Sequence, residues 1–318
     1  MKSIVSFLAI VFPLITASLG AQSTVTSTFV FKKVGNLEIK LDSHRPNDTV
    51  IRPLAVWIHG GGLINGGREG FGRVEKTLLD AGYCVVSIDY RLAPETKLPS
   101  IIEDVEDAFR WLREHGRERL SVDTSRIAVL GSSAGGYLAL TAGFRVQPRP
   151  TVLVSFWGYG DLVSSWLADP SKHERFLKSN LTDAEMAAIE AGPAVANAKD
   201  RLGKGGTYSQ MCRRLGIWPM KVAGWDPVKE RARFIPYMAA HNVTPDYPAT
   251  LLIHGTADTA VPYEQSQIMA RELEKHRVPH RFITIQGGEH GRLAGGVPAE
   301  IEAAYAAVLP FIDKYMKR

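Results

Sequence analysis

The feature that most constrains this chain is an alternation. Six apolar runs, PLAVWIHGGG, CVVSIDY, RIAVL, TVLVSF, ATLLIHG and HRFITI, are separated by stretches in which apolar residues recur at helical spacing. Between the second and third runs, for example, Ile102, Val105, Ala108, Phe109 and Leu112 lie on one helix face. A strand that is apolar on both sides must be covered on both sides, so the order implies an α/β fold with a largely parallel sheet between helices. The opening TFVFKKVG and LEIKLDSH read as a hairpin, followed by the polar break RPNDT. Helices are expected over 72–80, 101–115, 134–143 and 263–276, with one final helix over 298–316.

One segment interrupts the rhythm. Residues 158–248 are too many for a simple crossover, and an unstructured loop of that length would be exceptional in a compact domain. The segment is expected to fold as a helical cap inserted between 21–157 and 249–318, over the sheet edge where open α/β folds bind ligands. Its aromatic residues serve either as the cap's own small core or as walls of a pocket.

The first twenty residues stand apart. Lys2, an apolar run from Ile4 to Ile15, and then Ser18 and Gly20 have the layout of a secretory signal peptide, with cleavage expected after Gly20. A secreted or periplasmic protein without stable membrane insertion after cleavage is the expectation. The formal charge of +5 is modest, and the basic stretches around 110–119 and 229–233 are interleaved with acids, so a nucleic-acid partner is not expected. The nine histidines show no metal-binding spacing, and neither a metal nor another cofactor is expected. Cys84 lies within an apolar run and reads as a buried thiol, although one bridge to Cys212 stays open. Three sequons, at Asn47, Asn180 and Asn242, would admit glycosylation in a eukaryotic source, and Asn180 equally fits a loop leading into a helix that begins near residue 182 or 183.

Four places carry chemistry. The sequence Gly131-Ser132-Ser133-Ala134-Gly135 follows a strand and opens a helix, the arrangement of a nucleophile elbow, with Ser133 projecting above the sheet. His59-Gly60-Gly61-Gly62 ends another strand, where glycines let backbone N–H groups approach a reacting carbonyl. Gly61 and Gly62 with Ala134 are therefore the candidate oxyanion donors. Asp258 and His290 each follow a later strand, and the order Ser133, Asp258, His290 is the one in which this class of fold supplies a nucleophile, an orienting acid and a general base. Glu289, Asp226 and Asp246 are weaker candidates for the acid, and His254 is read as structural. Asp89, Arg91 and Glu95 are expected to form ion pairs that brace the loop under the glycines.

Taken together, HGGG, DYRLAPE, GSSAG, HGTAD and GGEHG resemble the esterase/lipase branch of the α/β hydrolases, which includes hormone-sensitive-lipase-like and acetyl-esterase-like enzymes. The resemblance spans about residues 52–316 and implies the triad and oxyanion donors just named. The chain lacks the long N-terminal helical cap of the hormone-sensitive-lipase pattern; its insertion is more similar to that of acetylxylan and feruloyl esterase-like members. The expected activity is hydrolysis of small-molecule or polysaccharide-linked esters with short acyl groups, through an acyl-enzyme. The alternatives are an amidase or peptidase of prolyl-oligopeptidase type and a non-catalytic binding protein on the same scaffold. Trp157, Trp166, Trp218 and Trp225 are the candidate pocket walls. Oligomeric state is not readable from the sequence.

Overall fold

A computed structural model describes residues 23–291 and 293–317. The segment expected to be a signal peptide lies outside the described residues. The hairpin forms as β1 (Thr24–Val34) and β2 (Leu37–Pro46), paired antiparallel. Four strands alternating with three helices follow: β3 (Arg52–Ile58), α1 (Glu75–Asp80), β4 (Cys84–Ile88), α2 (Leu98–Leu120), β5 (Val122–Ser132), α3 (Ala134–Arg145) and β6 (Val152–Phe156) carry the chain to the insertion. Beyond it lie β7 (Ala249–Gly255), α10 (Glu264–Lys275), β8 (His280–Ile285), α11 (Pro298–Ala306) and α12 (Val308–Met316).

The eight strands form one sheet in the order β1-β2-β4-β3-β5-β6-β7-β8. β2 meets β4 antiparallel, and every pair from β4 through to β8 is parallel. The apolar runs are explained by burial on both faces. Along β3, Leu54, Val56 and Ile58 join the core under α2 and α3, while Ala55 and Trp57 join the one under α1 and α12. Parallel pairing also sends the ends of β3, β5, β7 and β8 to the same sheet edge, where the four chemistry-bearing loops begin.

Within the insertion the structure places α4 (Ser165–Ala168), α5 (Glu174–Leu177), α6 (Asp183–Glu190), α7 (Gly205–Leu215), α8 (Trp218–Ala223) and α9 (Arg231–Phe234), together with short 3-10 turns. α6 starts in a capping box: Glu185 N–H donates to Thr182 Oγ1, and Thr182 N–H donates to the Glu185 carboxylate.

Two expectations are corrected, and the buried-thiol reading of Cys84 holds. The final helix is two, because Pro310 has no N–H for the Ala306 carbonyl and its ring crowds that group, so the first helix ends there. The helix over 72–80 forms only as the six residues of α1, its glycine-rich approach being a poor helix former. Cys84 and Cys212 are both free and buried, one in β4 and one in α7, so no bridge joins them. Burial pushes both thiols up to about 12, which leaves them inert packing groups.

Candidate active site

Ser133 sits between β5 and α3 with φ 55° and ψ −122°, in a backbone region that side chains rarely occupy. The turn survives because its neighbours are small. A Cβ on Gly135 would lie 2.0 Å from the Ile58 carbonyl oxygen, so only glycine lets α3 pass that close to β3. Ser133 N–H is fixed by the Phe156 carbonyl at 2.9 Å, and Ala134 is the first residue of α3, where backbone N–H groups have no partner inside the helix.

The structure brings Ser133, His290 and Asp258 together. His290 Nδ1 donates to Asp258 Oδ2 at 2.7 Å, which leaves Nε2 to accept from Ser133 Oγ at 3.0 Å. Asp258 is almost wholly enclosed, and its Oδ1 accepts from the N–H groups of Ala260 and Val261 at 2.9 and 2.8 Å. Burial by itself would raise this carboxyl, but the bonds from His254 and His290 outweigh it and hold the group well below the usual carboxylate range. The group is therefore an anion at neutral pH, able to stabilise an imidazolium on His290.

His254, read from sequence as structural, is a direct partner of the same carboxylate. Its Nε2 lies 3.2 Å from Asp258 Oδ2 and 3.0 Å from the Val261 carbonyl; both are acceptors, so Nε2 carries the proton. Nδ1 then accepts from Ser266 Oγ at 2.7 Å. Asp258 thus anchors two Ser–His pairs. The pair formed by Ser266 and His254 is sealed in the core, with 1% and 0% exposure, whereas Ser133 and His290 line a cavity of about 880 Å³. Only the second pair can meet a substrate. The HGTAD segment held the signal for His254, four residues before Asp258, but nothing local showed that the strand end would turn its ring onto the carboxylate.

The glycine loop after β3 approaches the serine closely. Gly61 has φ 110°, and a Cβ there would lie 2.1 Å from the Asn65 carbonyl oxygen, whose own N–H bonds back to the Gly61 carbonyl. Gly61 and Gly62 both line the cavity beside Ser133. His59 behind them is neutral: burial pushes it down to about 4, its Nδ1 donates to the Gly60 carbonyl at 2.8 Å, and its ring stacks on Tyr90 at 4.3 Å.

Other expectations meet mixed outcomes. Glu289 is not the orienting acid; it accepts from the N–H groups of Thr259 and His290 and pairs with Arg175. Asp226 accepts from the N–H groups of Val228 and Lys229 and Asp246 pairs with Arg149, both away from the serine. Asp89, Arg91 and Glu95 do form ion pairs, but with Arg68, Asp104 and Arg201 in turn. Trp157, Trp166 and Trp218 line the cavity. Trp225 does not: it packs edge-on to Phe234 at 5.3 Å and against Tyr237, inside the cap's own aromatic cluster. Sequence reasoning missed Tyr159, Phe176 and Arg213, which also line the cavity and stand in no motif.

Comparison with known proteins agrees with this architecture. A family model described as BD-FAE matches residues 37–189, and the prolyl oligopeptidase family model matches residues 207–318. Non-reducing polyketide synthase Preu6 of Preussia isomera is 29% identical over 305 residues, which is 85% of this chain and 14% of that protein. The chain therefore spans about a seventh of the length of that relative. Esterase LipI of Mycobacterium tuberculosis is 40% identical over 114 residues, 35% of each chain. The propionate-bound structure of Thermogutta terrifontis esterase 2 superposes with a TM-score of 0.62 at 21% identity, covering 91% of this chain and 93% of that one. With the doubly covered sheet, the elbow and these matches, the chain has the α/β-hydrolase fold, and its residues 37–189 are similar to the BD-FAE family.

Proposed function

We propose that the chain is a serine carboxylic-ester hydrolase in which Ser133 is the nucleophile, His290 the general acid and base, and Asp258 the acid that orients it. The observation that carries this reading is the 3.0 Å contact between Ser133 Oγ and His290 Nε2 on the wall of the cavity. His290 Nε2 takes the Ser133 proton as Oγ attacks the ester carbonyl carbon, and the C=O electron pair moves onto oxygen. The N–H groups of Gly61, Gly62 and Ala134 receive that oxyanion. Collapse of the intermediate breaks the bond to the alcohol oxygen, which takes the proton from His290 and leaves. Water, deprotonated by His290, then attacks the acyl-enzyme and releases the acid.

The aromatic wall of Trp157, Tyr159, Trp166, Phe176 and Trp218 supports a preference for short acyl groups, since bulky rings exclude chain length by contact. Propionate in the Thermogutta structure points the same way by analogy. Amide hydrolysis is the second reading, favoured by the prolyl oligopeptidase match over residues 207–318.

One experiment tests both. Wild type and Ser133→Ala are treated with a fluorophosphonate and followed by intact mass, and kcat/KM is measured for nitrophenyl acetate, butyrate and octanoate beside aminoacyl nitroanilides. The expected outcome is one covalent adduct on wild type, none on the variant, a turnover loss of roughly three or more orders of magnitude, and a maximum at acetate or butyrate. Labelling of Ser133→Ala would remove Ser133 as nucleophile, and faster cleavage of the anilides would replace the esterase reading with the amidase one.

A further inference from the structure

The cavity wall is electrically one-sided. Among the described residues it contains the guanidinium groups of Arg73 and Arg213 and the imidazole of His290, and no aspartate or glutamate. Arg73 has its charge met by Glu302 and packs over the Tyr305 ring. Arg213, on α7 of the insertion, has no ion-pair partner among the described residues. Its Nη1 donates to the Ala260 carbonyl at 2.8 Å, and its buried Nε finds no acceptor among the described residues. The nearby carboxylate of Asp258 is already committed to two histidines and two backbone N–H groups.

A half-buried guanidinium without a counter-charge is unusual, because desolvated charges are ordinarily paired. Burial pushes Arg213 down to about 10, and it stays protonated at neutral pH. The Trp166 and Phe176 rings hold it in place, their centroids 4.6 and 4.9 Å from the guanidinium carbon. Stacking occupies the faces of a guanidinium and leaves its in-plane N–H donors for a partner. Nη1 is taken by the Ala260 carbonyl and Nε is buried without an acceptor among the described residues, so Nη2 is the terminal donor left for an anion in the cavity.

We propose that Arg213 is an anion-recognition residue of the cavity, and that the esters taken there carry a carboxylate on the acyl or the alcohol part. The proposal rests on the hydrolase reading above for its chemistry, but the binding of the anion can be measured without turnover. A charge-assisted hydrogen bond in a half-buried site predicts a preference of roughly tenfold or more for the anionic member of a matched pair.

Two pairs test it, one for each side of the scissile bond: para-nitrophenyl hemiglutarate against para-nitrophenyl pentanoate, and para-acetoxybenzoate against its methyl ester. The readout is the ratio of kcat/KM within each pair for wild type, Arg213→Gln and Arg213→Lys, with glutarate titrated calorimetrically into Ser133→Ala with and without Arg213→Gln. The expected result is an anionic preference of roughly tenfold or more in at least one pair, a ratio near one in Arg213→Gln, partial recovery in Arg213→Lys, and glutarate binding that needs Arg213. Neutral esters cleaved with no anionic preference, or a ratio that survives Arg213→Gln, would overturn the proposal and leave Arg213 a brace for Ala260. Glutarate bound through Arg213 with no ester cleaved would instead sink the hydrolase reading and keep the anion site.

Discussion

Along the carboxyl edge of the sheet, the residues proposed to carry the chemistry are held by backbone of the strand ends and their own loops: Ser133 by the elbow and the Phe156 carbonyl at the end of the neighbouring strand, Asp258 by the N–H groups of Ala260 and Val261, Gly61 by Asn65. In the insertion, short helices are placed by contacts from distant chain. Arg201 forks onto Glu95 with 2.7 and 2.8 Å bonds and also donates to the carbonyls of Ala93 and Ile64, while Trp218 Nε1 donates to the Gly62 carbonyl at 3.1 Å. The edge thus brings its own geometry, and the insertion borrows its geometry from the edge. Chemistry should therefore fail when the edge is altered, and stability or selectivity when the seam is.

The sharpest cut at the edge is Asp258→Asn. Oδ2 accepts from both His290 Nδ1 and His254 Nε2, so an amide NH2 placed there faces two donors, and an amide oxygen there puts its NH2 against the N–H groups of Ala260 and Val261. The first placement removes the acceptor that fixes the His290 tautomer, and the second sets two donors against the NH2 and displaces the side chain from His290. The expected loss in kcat is roughly 10⁴-fold, the scale known for the corresponding change in a serine protease, with phosphonate labelling slowed in parallel. A variant with near wild-type kcat would show that the geometry at this edge does not carry the reaction.

The same division explains what could be read from sequence. A nucleophile elbow needs small residues at fixed offsets, so Gly131, Ser133 and Gly135 announce the turn before any tertiary contact is known. Two-sided burial forces continuous apolar strands, so β3 to β8 were legible for the same reason. Trp225 and Trp218 are both tryptophans of the insertion, yet one packs inward and the other reaches the glycine loop, and that choice depends on how short helices dock. Arg213 carried no signal either, since its environment is assembled from α4, α5 and the loop after β7. His254 lay in a legible motif, but its role follows from strand geometry that four residues of spacing do not determine.

The seam is tested by Arg201→Met. Arg201 and Glu95 are each 2% exposed in their side chains, so removing the guanidinium leaves a carboxylate buried without its counter-charge. A broken buried pair of this kind costs about 3–5 kcal/mol, read as a lowered denaturation midpoint. Replacing both partners, as in Glu95→Leu/Arg201→Met, should restore a large part of that loss, because the uncompensated charge is gone. A single variant as stable as wild type would mean that the insertion is held elsewhere, and the contrast with the edge would have to be redrawn.

His59 offers the smallest effect and reverses the contrast, because it is a place where the edge is vulnerable and the insertion is not involved. Its ring is buried against Tyr90, Nδ1 donates to the Gly60 carbonyl, and Nε2 has no partner among the described residues, so a second proton would be placed where nothing accepts it. Burial accordingly pushes the folded value down to about 4, against about 6.5 for a histidine in the unfolded chain. As pH falls from about 6.5 towards 4, the unfolded chain gains a proton that the folded chain refuses, so stability falls across that window and is fully present above it. The loss approaches about 3 kcal/mol by pH 4. His59→Phe keeps a ring for Tyr90 and removes the titration. Denaturant unfolding at a series of pH values should therefore give a shallower fall between pH 6.5 and 4 for the variant, even where its stability at pH 7 is lower. Parallel curves would mean that His59 accepts its proton in the folded chain at no penalty, and that acid sensitivity at this edge arises in other groups.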